Sequence, residues 1–219
     1  MIFFIFVLIM IQDDVFKTIA QSSEGAYSEK RSKFISFAMP VESEEEAKEY
    51  LEEIRKKYYD ARHVCWAYLI GSDEIKYRAN DDGEPSGTAG RPILGQIRSF
   101  ELTNVFIAVI RYFGGIKLGT GGLVVAYKAA AADALDHAEI IEKTIDEEVT
   151  FDFEYPFMND VMRIIKDIEP QIVDQTFEMA CNMCLRIRRS KMEELRDRLS
   201  KVQTVVFADE AAETEKEEN

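Results

Sequence analysis

The chain has 219 residues, of which 47% are hydrophobic, 31% charged and 11% aromatic. That balance excludes an unfolded polar chain, a collagen-type repeat and a disulfide-dense miniprotein, and it is enough to bury the core of one domain or two small ones. Three cysteines at this length fit a reducing compartment rather than a disulfide framework, so a cytoplasmic location is expected.

The net charge of −14 argues against nucleic acid until its distribution is read. The run Glu42–Glu53 contributes −6 and the tail 208–219 contributes −5, which leaves the rest of the chain close to neutral. The stretch Arg186–Lys201 is locally +4, and local fields govern recognition more than the total does. The tail from 209 to 219 lacks large apolar residues and is expected to be a solvated, disordered extension. At the other end, residues 1–12 form an apolar extension, MIFFIFVLIMIQ. Its eleven apolar residues would make a helix of roughly 16 Å against a hydrocarbon core of about 30 Å. It lacks the basic start and small-residue cleavage site of a signal peptide. It reads as a misassigned start, with Met10 as the beginning, and no stable membrane insertion is expected.

In the first half, KFISFAM (33–39) alternates, with Ile35, Phe37 and Met39 on one face of a half-buried strand. Ser43 and Glu46 make a capping box that opens a helix carrying Ala47, Tyr50, Leu51, Ile54 and Tyr58 on one side. The runs 63–71 and 104–113 have the β-rich composition of central strands. The Ala-rich stretch 121–138 predicts a helix lying close against a sheet. A short join near 140–146 leads to a second unit. There Val149, Phe151, Phe153 and Tyr155 alternate as a strand, and Pro156 opens a helix with Val161, Ile164, Ile165 and Ile168 inward. Gln171–Thr176 follows as a strand, and Phe177 to Ile187 alternate as another. Ser190 and Glu193 predict the cap of a helix with Met192, Leu195, Leu199 and Val202 inward, and 204–207 closes as a strand. The result is an α+β chain whose residues 13–142 form one domain and 146–208 a ferredoxin-like βαββαβ domain.

Nine of the eleven glycines lie between Gly83 and Gly122, where the backbone must turn or approach something closely. Eight of them form two clusters, DDGEPSGTAGRP (81–92) and RYFGGIKLGTGG (111–122). The second leads into a helix, so its free N–H groups suit an anion, with Lys117 nearby. Neither cluster is a P-loop or a GxGxxG fingerprint, and tight turns account for the same text.

As specific text, DGEPSGTAGRPIL followed by RYFGGIKLGTGGLVVAY resembles the Impact family, known as YigZ in bacteria. SEKRSKFISFA and ARHVCWAY extend the resemblance, which covers about Val15 to Phe207. It implies an N-terminal domain similar to the second domain of ribosomal protein S-five and a C-terminal domain similar to the last domain of elongation factor G. Eukaryotic relatives act in translational control through a large activator protein, so the resemblance implies translation regulation, with RNA, the ribosome or a translation-associated protein as partner. Many relatives carry a basic residue where Val125 stands here.

The residues expected to bind a ligand are Arg91, Arg111, Gly114, Gly115, Lys117, Gly119, Thr120 and Gly121. Asp82, Glu84, Ser86 and Thr88 supply loop contacts, and Arg98 is a further counter-charge. Arg186 and Arg188 mark a surface on the second domain. The alternative is a hydrolase or transferase using His63, Cys65 and Asp82, since His63 and Cys65 share a strand face roughly 7 Å apart. Cys181 and Cys184 spell C-x-x-C, but i and i+3 on a strand face opposite ways, so no metal is expected. No cofactor is implied.

Overall fold

The computed structural model describes residues 14–72, 74–177 and 181–209. The readings of the apolar start (1–12), of Met179 and of the tail from 210 onward fall outside those residues. The described chain is a mixed α+β structure in two compact units, one of Phe16–Lys143 and one of residues 14–15 with 144–209. No helix among the described residues is long and apolar enough to cross a membrane.

In the first unit the strands are β1 (Val15–Ile19), β2 (Ser23–Glu29), β3 (Ser32–Pro40), β4 (His63–Ile70), β5 (Lys76–Asn80), β6 (Val105–Tyr112) and β7 (Ile140–Thr144). The helices are α1 (Glu44–Lys57), α2 (Gly90–Ser99) and α3 (Gly119–Asp136). Five strands form an antiparallel sheet in the order β2-β3-β6-β4-β5, while β1 pairs with β7 separately. α1 begins as its sequence predicts, with the Ser43 hydroxyl accepting the Glu46 N–H at 3.1 Å. The returning Glu46 carboxylate bonds the N–H of Glu42 rather than that of Ser43.

This sheet is covered on both faces, which corrects the expectation of a half-buried strand at 33–39. Phe37, Val64, Trp66, Tyr68, Phe106 and Ile110 pack against Ala47, Leu51 and Ile54 of α1. From the same strands, Phe34, Ala38, Cys65, Ala67, Ile107 and Val109 pack on the other face against α2 and α3. The alanines of α3 let it lie close enough for side-chain bonds from the sheet. Ser36 donates to the Ala130 carbonyl at 2.6 Å and Ser23 to that of Ala134 at 2.7 Å.

The second unit contains β8 (Asp146–Phe153), α4 (Met158–Ile168), β9 (Gln171–Phe177), β10 (Cys181–Arg188), α5 (Arg189–Ser200) and β11 (Val206–Phe207). This is the βαββαβ succession read from the sequence, and the antiparallel sheet runs β11-β8-β10-β9. One face buries Val149, Phe151, Phe153, Cys181, Met183, Leu185 and Ile187 beneath both helices. Two local expectations change. Tyr155 and Pro156 belong to a short 3-10 turn ahead of α4 rather than to the strand and the helix. Phe177 ends the edge strand β9 and is 47% exposed, so it does not join the covered face.

The start of α5 is a further correction. Its N-cap position is Arg188, and no side chain of the predicted Ser190–Glu193 box caps it. Asp14 takes that role from far away in sequence: its carboxylate accepts the Ser190 N–H at 3.3 Å and pairs with both Nε and Nη2 of Arg188. The Arg188 bonds hold the Asp14 carboxyl well below the usual carboxylate range.

Candidate functional site

The site grows out of the middle of the first sheet. β6 lies between β3 and β4, and the register sets Arg111 opposite Phe34 on one side and His63 on the other. An arginine so placed is sunk among rings. Its guanidinium sits 5.7 Å from the Phe34 centroid and 5.6 Å from that of Phe113, and its side chain is only 9% exposed. A buried cation needs a compensating charge, and Glu84 supplies it: Arg111 Nη1 donates to Glu84 Oε1 at 2.5 Å. Tyr127 of α3 donates its hydroxyl to the same oxygen at 2.9 Å. The Nε of Arg111 is buried without a hydrogen-bond partner.

Around this pair opens a cleft of about 410 Å³, bounded by Arg62, His63, Glu84, Pro85, Arg111 and Phe113 on the sheet side. Lys117, Leu118, Gly119, Thr120 and Leu123 bound it on the side of the α3 N-terminus. That helix has no side-chain cap, so its first N–H groups lack a side-chain acceptor, and Gly119 and Thr120 of its first turn line the cleft at the positive end of its dipole. Gly119 takes φ +73°, a left-handed turn that a side chain would strain. Gly114 has a different reason: a Cβ there would sit 2.0 Å from the Arg31 carbonyl carbon. Gly121 has open space around its Cα. Arg62 and Lys117 are exposed, with no carboxylate partner among the described residues.

Arg91 does not join Arg111 and Lys117; with Arg78, Arg98, Ser86 and the exposed Tyr77 it lines a separate polar groove of about 660 Å³ between β5 and α2. Arg98 lies 4.7 Å over the Tyr77 ring. Thr88 is buried and bonds Pro85 within its loop. Asp81 ties that loop down, accepting the N–H groups of Gly87, Ala89 and Gly90 at 2.7–2.9 Å. Arg186 bonds Glu148 and Arg188 bonds Asp14, so both already have carboxylates. Cys181 is buried, and Cys184 stands on the opposite face beside Glu148. Val125 is 58% exposed on α3 and does not line the cleft.

His63, Cys65 and Asp82 do not assemble as a reaction centre. Only His63 lines the cleft. The Cys65 thiol is fully buried, donates to the Asp81 carbonyl at 3.0 Å and lies 3.3 Å from the Tyr127 hydroxyl. Burial pushes this thiol up, and the Glu84, Asp82 and Asp81 charges add to that against the Tyr127 bond, so the nucleophilic thiolate is disfavoured. The Asp82 carboxylate accepts from the Val64 N–H and from Arg55, while its backbone carbonyl meets His63 Nδ1 at 2.7 Å. A carbonyl only accepts, so Nδ1 carries the proton. Sequence reasoning missed Arg62 and Phe113; the signal was that each lies within two residues of a residue it did select.

These features define a two-unit α+β protein whose first unit gathers cations and an uncapped helix end around one glycine-bordered cleft. The chain belongs to the IMPACT family, as its glycine motifs imply: the Impact N-terminal domain matches residues 30–135. It is 35% identical to an IMPACT family member of Haemophilus influenzae, over 75% of this chain and 81% of that one. With the IMPACT family member YigZ of Escherichia coli it shares 32% identity over 78% and 85% of the two chains. With YvyE of Bacillus subtilis it shares 41% over 58% of this chain, a match that spans 59% of that relative's length. A crystal structure described as a hypothetical protein superposes with a TM-score of 0.70 at 29% identity, covering 89% of this chain and 96% of the other.

Proposed function

We propose that this chain is a non-catalytic binding protein of translation regulation, located in the cytoplasm, which contacts the phosphates of RNA, free or on the ribosome, through the cleft of its first unit. The observation that carries the reading is the convergence of Arg62, Lys117 and the uncapped α3 N-terminus on one cleft backed by Arg111. Glu84 neutralises Arg111, so the surplus positive field comes from the other three. The net charge of −14 does not oppose this, because its two acidic runs lie at 42–53 and 208–219. The resemblance to the second domain of ribosomal protein S-five and to the ferredoxin-like last domain of elongation factor G points to the same machinery, as an analogy of fold. The reading calls for no cofactor or metal. A translation-associated protein is the other partner class that the family resemblance implies.

The test is sucrose-gradient co-sedimentation of the full chain with ribosomes at low and at raised salt. Comigration at low salt that is lost as salt rises is the expected result. Migration with free protein at both salts contradicts it.

A further inference from the structure

We propose that the cleft receives a terminal phosphate, a phosphomonoester at the end of an RNA chain or on a free nucleotide, rather than the internal phosphodiesters of a strand. This rests on the anion-binding reading of the cleft and specifies its ligand.

Arg111 is 8% exposed as a residue and lies near the Phe34 and Phe113 rings. Its hydrogen bond is the one from Nη1 to Glu84, and the side chain still lines the cleft. A phosphate flanked by nucleotides on both sides stays at the surface, because its neighbours must pass too. Only a chain end or a small molecule presents a phosphate that can reach a guanidinium set this deep.

A phosphomonoester carries close to two negative charges at neutral pH and has three free oxygens, whereas an internal diester has one charge and two. With Glu84 compensating Arg111, the cleft retains Arg62, Lys117 and a helix N-terminus as its positive groups, which suits a dianion. About 410 Å³ lies within the range of small-ligand sites. Phe113, 57% exposed, stands beside the cations as an apolar face for a base or sugar.

The experiment is fluorescence anisotropy with one internally labelled oligoribonucleotide, prepared with a 5′-phosphate, a 3′-phosphate or hydroxyls at both ends. Adenosine 5′-monophosphate and adenosine serve as competitors. A phosphorylated end is expected to bind about tenfold tighter than the hydroxyl form, with the monophosphate competing and adenosine not. Lys117→Ala and Arg62→Ala alter exposed side chains only and are expected to abolish the preference. Equal binding of all three oligonucleotides overturns this proposal and leaves RNA binding standing. Binding of the monophosphate alone supports the terminal-phosphate site and removes RNA as its source. A preference that survives both alanine variants overturns the assignment to this cleft, and no binding of any probe overturns both readings.

Discussion

Arg111→Met is expected to lower the unfolding free energy by about 3–5 kcal/mol, because it strands a buried carboxylate. Glu84 has only 3% of its side chain exposed, and its Oε1 is served by Arg111 and Tyr127 alone. Urea unfolding reads this directly. The double variant Arg111→Met with Glu84→Gln is expected to recover most of the loss, since a neutral amide there still accepts from Tyr127. If the single variant costs less than about 1 kcal/mol, the value of a solvated surface pair, Glu84 is not held in the way described. Because of this structural role, Arg111 is a poor probe of binding, and the exposed Lys117 and Arg62 are the residues to vary.

The second large effect belongs to the 81–92 loop. Asp81→Ala leaves three N–H groups without acceptors, those of the buried Ala89 and Gly90 among them, and is expected to cost about 3 kcal/mol. The acid side of the stability profile gives an independent check. Burial acts to raise the Asp81 pKa, but the three backbone donors and the Arg91 charge outweigh it, so the folded value lies below the unfolded one. Its contribution is therefore full above the ordinary carboxylate pKa and lost as pH falls through the depressed folded value. Asp81→Asn is expected to remove that part of the decline. Stability of Asp81→Ala equal to wild type at pH 7 would show that the loop does not depend on this carboxylate.

The sequence disclosed most of the regular structure wherever burial imposes a period. β8 and β10 alternate because one face meets α4 and α5, and α1 shows its stripe because its other side is solvated. Elements without such a pattern escaped. β5 is a polar edge strand whose Lys76, Tyr77 and Arg78 are exposed. α2 is short, contains Pro92 and Gly95, and lies inside text that reads first as a glycine motif. Missing α2 misplaced Arg91, since that helix carries it to the Tyr77 groove. For the cleft, Arg111, Lys117, Gly119 and Thr120 were legible because they lie within ten residues of one another. The Arg111–Glu84 pair, the Tyr127 bond and the capping of α5 by Asp14 were not, because these partners meet only once the sheet and helices have formed.

Binding of RNA phosphate by charge at the cleft, as proposed, makes affinity depend on salt and on the exposed cations. The most direct test is the affinity of the full chain for a short single-stranded RNA, measured across a salt series beside Lys117→Ala. A linear fall of log K with log salt is expected, with weaker binding of the variant and a slope smaller by about one. Equal affinities and equal slopes for the two proteins would contradict it.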